Sequence, residues 1–328
     1  MKLTSDKKEL EKYLKDQGWL KSAESIEAVE IPGEGNMNFT LRINTGSRSF
    51  IIKQSREFVK KYPQVAAPEE RVLREAEFYK LIESEVKLNG MTPAILGLDK
   101  ENHVLAMEDL GVGADYSFLY QIAKEIAEDE LQVIMEFAAK LHTGVTVANT
   151  HTPLRNREMR KLNHEHIFQY PYMEDNGLNL DDILPGLQEE AEKYKRDEIL
   201  KKELKVLGDL YLEDGNSLLH GDYFPGSWLK TKDGVKIIDP EFGHFGQPEF
   251  EIGVTIAHLK MADQPEQLVK KALQTYLEIA PLDENLRKKF TAVEILRRIL
   301  GLAQLPLEIG LEKRKALLGE SREAILSS

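Results

Sequence analysis

Between Ser25 and Ser55 the chain reads SIEAVEIPGEGNMNFTLRINTGSRSFIIKQS, in which apolar and polar positions alternate. Turn signals fall at Pro32-Gly33, Gly35-Asn36 and Asn44-Thr45-Gly46. A period of two bounded by such residues predicts consecutive antiparallel strands. Residues 69–81, EERVLREAEFYKL, follow a helical period, with Val72, Ala76 and Tyr79 on one stripe. A short strand pair ending in HVLAMEDLG, 103–111, comes next. From residue 115 the period lengthens. Helices are predicted over 128–142, over 178–212 with an interruption at Pro185-Gly186, and over 248–328 with breaks at Pro265, Pro281 and Pro306. Only the stretch 217–243 interrupts them, with two short strands. The pattern predicts an α+β, two-lobed chain: a small antiparallel-sheet lobe with one packed helix over 1–110, and a larger, mostly helical lobe over 111–328.

Composition adds limits. The 328 residues are 41% apolar and 30% charged, the mix of an ordinary globular protein. No apolar run approaches the roughly 20 residues of a membrane span. A net charge of −12 argues against nucleic acid as a partner, because a phosphate backbone demands clustered Lys and Arg. Cysteine is absent, which removes disulfides, thiolate metal sites and cysteine nucleophiles. The first twenty residues carry no signal-peptide core, so the expected location is the cytoplasm.

The candidate chemistry starts in LLHGDYFPGSWLKTKDGVKIIDPEFG, 218–243, where Asp222 follows one apolar run and Asp239 ends another. The Asp233-Gly234 hairpin brings the flanks together, so both carboxylates can face one site. One can take a hydroxyl proton while the other holds a divalent cation. The spacing equally allows two turn-capping aspartates. In the small lobe, the glycine turn around Gly33 and Gly35 lets backbone N–H groups approach phosphate oxygens, although most such turns only join a hairpin. Lys53 shares a strand face with Ile51 and needs an anionic partner if it points inward. Glu75 lies on the stripe of Val72 and Tyr79 and is a candidate partner. A surface pair of Glu75 with Arg71 or Arg74 is the alternative.

The order of these pieces is glycine turn, strand lysine, helix glutamate, linker, HGD, loop, and a strand ending in Asp. It resembles the protein-kinase-like phosphotransferases of the aminoglycoside phosphotransferase and choline kinase branch, in which HGD stands for HRD and an Ile-Asp pair for DFG. The resemblance runs from the glycine turn to the end of the chain. GEGNMN, FIIKQ, MEDLG, IDPEF, Ser227 and the Arg297-Arg298 pair of LRRILGLAQ are similar to methylthioribose kinases in particular.

That resemblance implies ATP and Mg²⁺ as cofactors and a small hydroxylated acceptor, first of all a methylthioribose-like sugar. Gly33, Gly35, Asn36 and Asn38 would line the nucleotide, Lys53 would bind its phosphates and Glu75 would orient Lys53. Met107, Glu108, Asp109 and Leu110 would form the hinge that reads adenine. Asp222 would be the catalytic base. Asp239 would hold the metal, helped by Ser227 and Glu241. Arg297, Arg298, Tyr223 and Phe224 would face the acceptor; since adjacent helical positions diverge, only one of the two arginines need enter the pocket while the other braces it, and at least one is expected to recognise the acceptor. His220 is read as a structural histidine bonded to backbone, and Glu251 as the support behind the loop. A homodimer is implied by analogy. Three departures, Phe224, Ser227 and Glu251, motivate the alternative of a nucleotide-binding pseudokinase. A kinase of an amino sugar or amino alcohol is a further alternative.

Overall fold

The computed structural model describes residues 1–33, 37–58 and 66–327. Gly35 and Asn36 lie outside the described residues. The chain begins with α1 (Lys7–Asp16), whose start is set by Asp6: its carboxylate accepts the N–H groups of Lys8 and Glu9 at 2.9 and 3.0 Å. Then come β1 (Ala28–Glu30), β2 (Phe39–Asn44), β3 (Ser49–Gln54), α2 (Arg71–Ile82), β4 (Ile95–Asp99) and β5 (Val104–Glu108). The strands form one antiparallel sheet in the order β1-β2-β3-β5-β4. α2 starts at Arg71 rather than at Glu69, because Pro68 to Glu70 forms the turn that leads into it.

Alternation along the strands gives the sheet two apolar faces. Leu41, Ile43, Phe50, Ile52, Val104 and Ala106 pack with Leu10 and Leu14 of α1 in a small core of their own. Leu105 and Met107, on the opposite face of β5, pack with Val72, Ala76 and Tyr79 of α2. That second core does not stop at the small lobe. It continues without a break into the helical lobe.

The helical lobe contains β6 (Ala114–Asp115), α3 (Glu128–Gly144), α4 (Arg157–His164), α5 (Leu187–Lys195) and α6 (Glu198–Leu212). Then come β7 (Ser217–Leu219), β8 (Trp228–Thr231), β9 (Gly234–Ile237) and β10 (His244–Gly246). Four helices close the lobe: α7 (Pro248–Met261), α8 (Glu266–Leu277), α9 (Glu284–Leu300) and α10 (Leu311–Leu326). The breaks between α7, α8, α9 and α10 fall at the three expected prolines. β8 and β9 form the Asp233-Gly234 hairpin, and β7 pairs with β10 instead. α7 and α9 are buried nearly all round, so polar side chains on them must find partners inside the protein. Among the described residues no helix is long and apolar enough to cross a membrane.

Candidate active site

Lys53, on β3, reaches across the interior of the small lobe. Its ammonium lies 2.7 Å from Glu75 Oε1 on α2 and also bonds Asp239, just past β9. Burial works against the charge on Lys53. The Asp239 and Glu75 carboxylates overcome that penalty and hold its pKa above the ordinary lysine range. Glu75 is completely buried, whereas the Asp239 side chain remains 47% exposed. Asp239 has a φ of +65°, a left-handed conformation that non-glycine residues rarely adopt and that clusters at functional sites.

The HGD loop leaves β7, whose Leu218 and Leu219 are fully buried, and turns at Gly221. There φ is +85°, and a Cβ would sit 2.2 Å from Phe242 O, so only glycine fits. His220 Nε2 lies 2.8 Å from Ile238 O, which ties the Asp222 segment to the Asp239 segment through backbone. Glu251, on α7, accepts Gly221 N–H at 2.7 Å with Oε2 and bonds His142 Nε2 at 2.9 Å with Oε1. Burial opposes ionisation of Glu251, but those hydrogen bonds hold its carboxyl below the ordinary range.

Neither aspartate caps a turn. The Asp222 carboxylate is 28% exposed and lies 3.6 Å from Arg298 Nη2. Burial raises its pKa above the ordinary aspartate value, with Arg298 and Arg297 pulling the other way. An exposed edge combined with a raised pKa suits a group that must pick up a proton. Arg297 and Arg298 are both buried, at 6% and 5% exposure. They share one carboxylate that sequence reasoning missed, Glu294: Arg298 Nε is 2.7 Å from Oε1 and Arg297 Nε is 3.3 Å from Oε2. The signal was present, since Glu294 precedes them by three and four residues on one helix. Arg298 also lies over the Phe224 ring, 4.9 Å from its centre.

Tyr223 corrects the expectation that it faces the acceptor. Its ring is 1% exposed and stacks on Phe137, and its hydroxyl donates to Ile134 O at 2.7 Å. The phenol hydroxyl needs an acceptor once buried, and α3 supplies one, so Tyr223 anchors the loop to that helix. Other expected site residues have partners within the protein. Ser227 Oγ donates to Asp222 O at 2.7 Å and so closes the loop on itself. Asn38 donates to Glu241 at 2.9 Å and accepts from Arg71 at 2.8 Å. Glu241 is pushed up to about 8 by burial, with Arg71 opposing. Arg71, considered beforehand only as a surface partner of Glu75, is fully buried and also donates to Met37 O at 2.8 Å. In the expected hinge segment, Asp109 pairs with Arg42 Nε at 2.9 Å, and Glu108 N–H donates to Ala94 O at 2.8 Å. Met107 is buried in the core, while Gly33 turns at φ +75°. A groove of about 880 Å³ lies between α2 and residues 152–159, with Arg71 and Asn156 in its lining.

Sheet, α2 and HGD loop thus have the arrangement of a protein-kinase-like phosphotransferase. Solved structures agree on the fold. The choline kinase LicA from Streptococcus pneumoniae superposes with a TM-score of 0.56 at 15% identity, covering 98% of this chain and all of its own (100%). The gentamicin-APH(2")-IIa complex gives a TM-score of 0.53 at 14% identity, covering 100% of this chain and 98% of that one.

The chain belongs to the phosphotransferase enzyme family, whose model matches residues 29–285. Among its relatives, the methylthioribose kinase of Exiguobacterium sibiricum is 28% identical over 260 residues, covering 74% of this chain and 63% of that enzyme. Methylthioribose kinase 1 of Oryza sativa subsp. japonica is 25% identical over 257 residues, covering 73% of this chain and 57% of that protein. The match therefore spans less than two thirds of these relatives' own length.

Proposed function

We propose that the protein is an ATP-dependent kinase of a small, uncharged, hydroxylated metabolite, with methylthioribose as the first acceptor to test. The observation that carries this reading is Lys53, which bonds Glu75 on α2 and Asp239 from the other lobe at once. An ammonium held between two carboxylates is placed to exchange one of them for phosphate oxygens when nucleotide enters.

Asp239, half exposed, is the carboxylate offered to Mg²⁺. Among the described residues no cluster of three or more His, Cys, Asp or Glu forms a metal cage. One carboxylate fits magnesium, which relies on substrate phosphates and water for its other ligands. When bound, the ion neutralises phosphate charge. Glu241 and Ser227 are the remaining oxygen donors near it, already engaged with Asn38 and Asp222 O respectively. Met107 to Leu110 supply the backbone that meets the base, and Gly33 begins the turn over the phosphates.

In the transfer, the acceptor oxygen attacks the γ-phosphorus, the bond to the ADP oxygen breaks, and the hydroxyl proton passes to Asp222. The raised pKa of Asp222 and its exposed edge suit that role. The guanidiniums of Arg297 and Arg298 favour hydroxyl oxygens and disfavour a cationic acceptor. On that ground choline and amino sugars are the less favoured acceptors.

The test is ADP release with Mg·ATP across methylthioribose, choline, an aminopropanol and an aminoglycoside. Turnover with methylthioribose and none with the three amines is expected. Turnover with the amines alone overturns the substrate reading. ATP binding without turnover on any acceptor favours a nucleotide-binding module.

A further inference from the structure

Behind the catalytic loop run two buried chains of the same composition. The first is Tyr276, His142 and Glu251, with the Tyr276 hydroxyl 2.8 Å from His142 Nδ1, and it ends on Gly221 N–H. The second is Tyr120, His258 and Glu294. The Tyr120 hydroxyl lies 2.6 Å from His258 Nδ1, and His258 Nε2 lies 3.0 Å from Glu294 Oε1. Burial pulls the His258 pKa down to about 4, so its ring is neutral near pH 7. A neutral imidazole has one N–H and a carboxylate can only accept. The proton therefore sits on Nε2 and points at Glu294, while Nδ1 accepts from the Tyr120 hydroxyl.

This second chain ends on side chains. Glu294 is 1% exposed. Oε1 takes both His258 and Arg298, and Oε2 faces Arg297. Every side of Arg298 is then assigned. Its Nε meets Glu294, its Nη1 donates to Ala303 O at 3.4 Å, and its face lies against Phe224. Phe224 in turn packs on His258, with ring centres 5.0 Å apart. What is left is Nη2, directed at Asp222.

We propose that Glu294 is the positioning residue of the acceptor side, holding both guanidiniums and, through Arg298, setting the place and charge environment of the Asp222 carboxylate. The proposal rests on the reading of Asp222 as the proton acceptor. Without Glu294, two adjacent buried cations would have Asp222 as their nearest carboxylate. Arg298 would close on it and tie up the oxygen that must take the proton. Glu251 has no such effect, because it acts on a backbone N–H.

The test compares Glu294→Gln and Glu294→Asp with the wild type. The first readout needs no acceptor: the Asp222 carboxyl is titrated by carbon-13 NMR of aspartate-labelled protein and assigned with Asp222→Asn. The charged or titratable groups that act on Asp222 include Arg298, Arg297, Glu294 and His220, with the hydroxyls of Tyr120 and Tyr211 also within its field. In Glu294→Gln the Asp222 pKa is expected to fall by about one unit or more, as the freed guanidinium pairs with it. Glu294→Asp, which keeps the charge but withdraws it, moves it the same way by less and carries the test if the Gln variant does not fold. The second readout is kinetic: the methylthioribose KM rises while the ATP dissociation constant, which also reports folding, stays at the wild-type value. An unchanged Asp222 titration in ATP-binding Glu294→Gln, or equal losses for both substrates, overturns the proposal. If the wild type does not turn over methylthioribose, the substrate reading fails, and the Asp222 titration still decides the role of Glu294.

Discussion

Glu251 and Glu294 invite comparison. Both are buried carboxylates on core helices, both bond a histidine, and a tyrosine hydroxyl backs each histidine. They differ in what they hold. Glu251 fixes a loop by its backbone, at the one N–H that Gly221 offers. Glu294 fixes two long cationic side chains that have no other carboxylate nearby except Asp222. The first arrangement tolerates any side chain that follows the loop, so it supports the chemistry common to the family. The second dictates which charges stand beside Asp222, so under the proposed reaction it would bear on the choice of acceptor. One arrangement of Tyr, His and Glu thus holds a backbone N–H in one place and two guanidiniums in the other.

The sharpest way to break this comparison is truncation. Glu294→Ala leaves two guanidiniums and an imidazole N–H without their counter-ion, and each buried charge so stranded costs about 3–5 kcal/mol. Glu251→Ala leaves one backbone N–H and one imidazole N–H, each worth about 1–3 kcal/mol. Urea denaturation should rank Glu294→Ala as the more damaging. The reverse order would mean that the arginines are not held by Glu294.

A smaller effect concerns acid. His258 titrates near 4 in the folded protein, against about 6.5 in an unfolded chain. Between those values the unfolded state binds the extra proton, so the contribution of His258 is complete above about pH 6.5 and is lost as pH falls toward 4. The loss amounts to about 3 kcal/mol. His244, also held near 4, contributes in the same window. Replacing His258 with Gln should flatten the fall in stability between pH 7 and pH 4 by about that amount, as followed by urea midpoints. An unchanged slope would show that His258 is charged when folded.

Smallest is Phe224→Leu, which removes the ring over Arg298 and forfeits about 0.5–2 kcal/mol of cation–π attraction. A modest rise in the methylthioribose KM, with ATP binding unchanged, is expected from steady-state kinetics. A rise in the ATP KM would place Phe224 on the wrong side of the site.

The same two glutamates show what the sequence made legible. Most strands and helices and the prolines between them followed from period and punctuation, because each is a local property; α4 and β10 did not. Lys53, Asp222 and Asp239 could be singled out because each is a charge beside an apolar run, Glu75 because it shares the apolar stripe of Val72 and Tyr79, and their order carried the family. Glu251 stood at a place where the family has a carboxylate. Glu294 sat among Val293, Ile295 and Leu296, and only its spacing to Arg297 and Arg298 marked it. The histidine and tyrosine behind it come from residues 258 and 120, a contact that no local pattern announces. Tyr223 was misplaced for a related reason. In an irregular loop nothing tells which of two neighbouring aromatic rings turns inward, and the choice is made by Ile134 and Phe137 of α3. Arg71 went unrecognised because its partners, Met37 and Asn38 on one side and Glu241 on the other, come from two segments distant in sequence.

The claim at the centre of this account is that Asp222 takes the proton of an acceptor hydroxyl while the nucleotide is bound elsewhere, by Lys53 and Asp239. The most direct measurement is methylthioribose-dependent ADP release by wild type and Asp222→Asn, with ATP affinity measured on the same preparations. A fall in kcat of about 10²–10⁴-fold with ATP affinity retained is expected. Turnover by Asp222→Asn at the wild-type rate would contradict it.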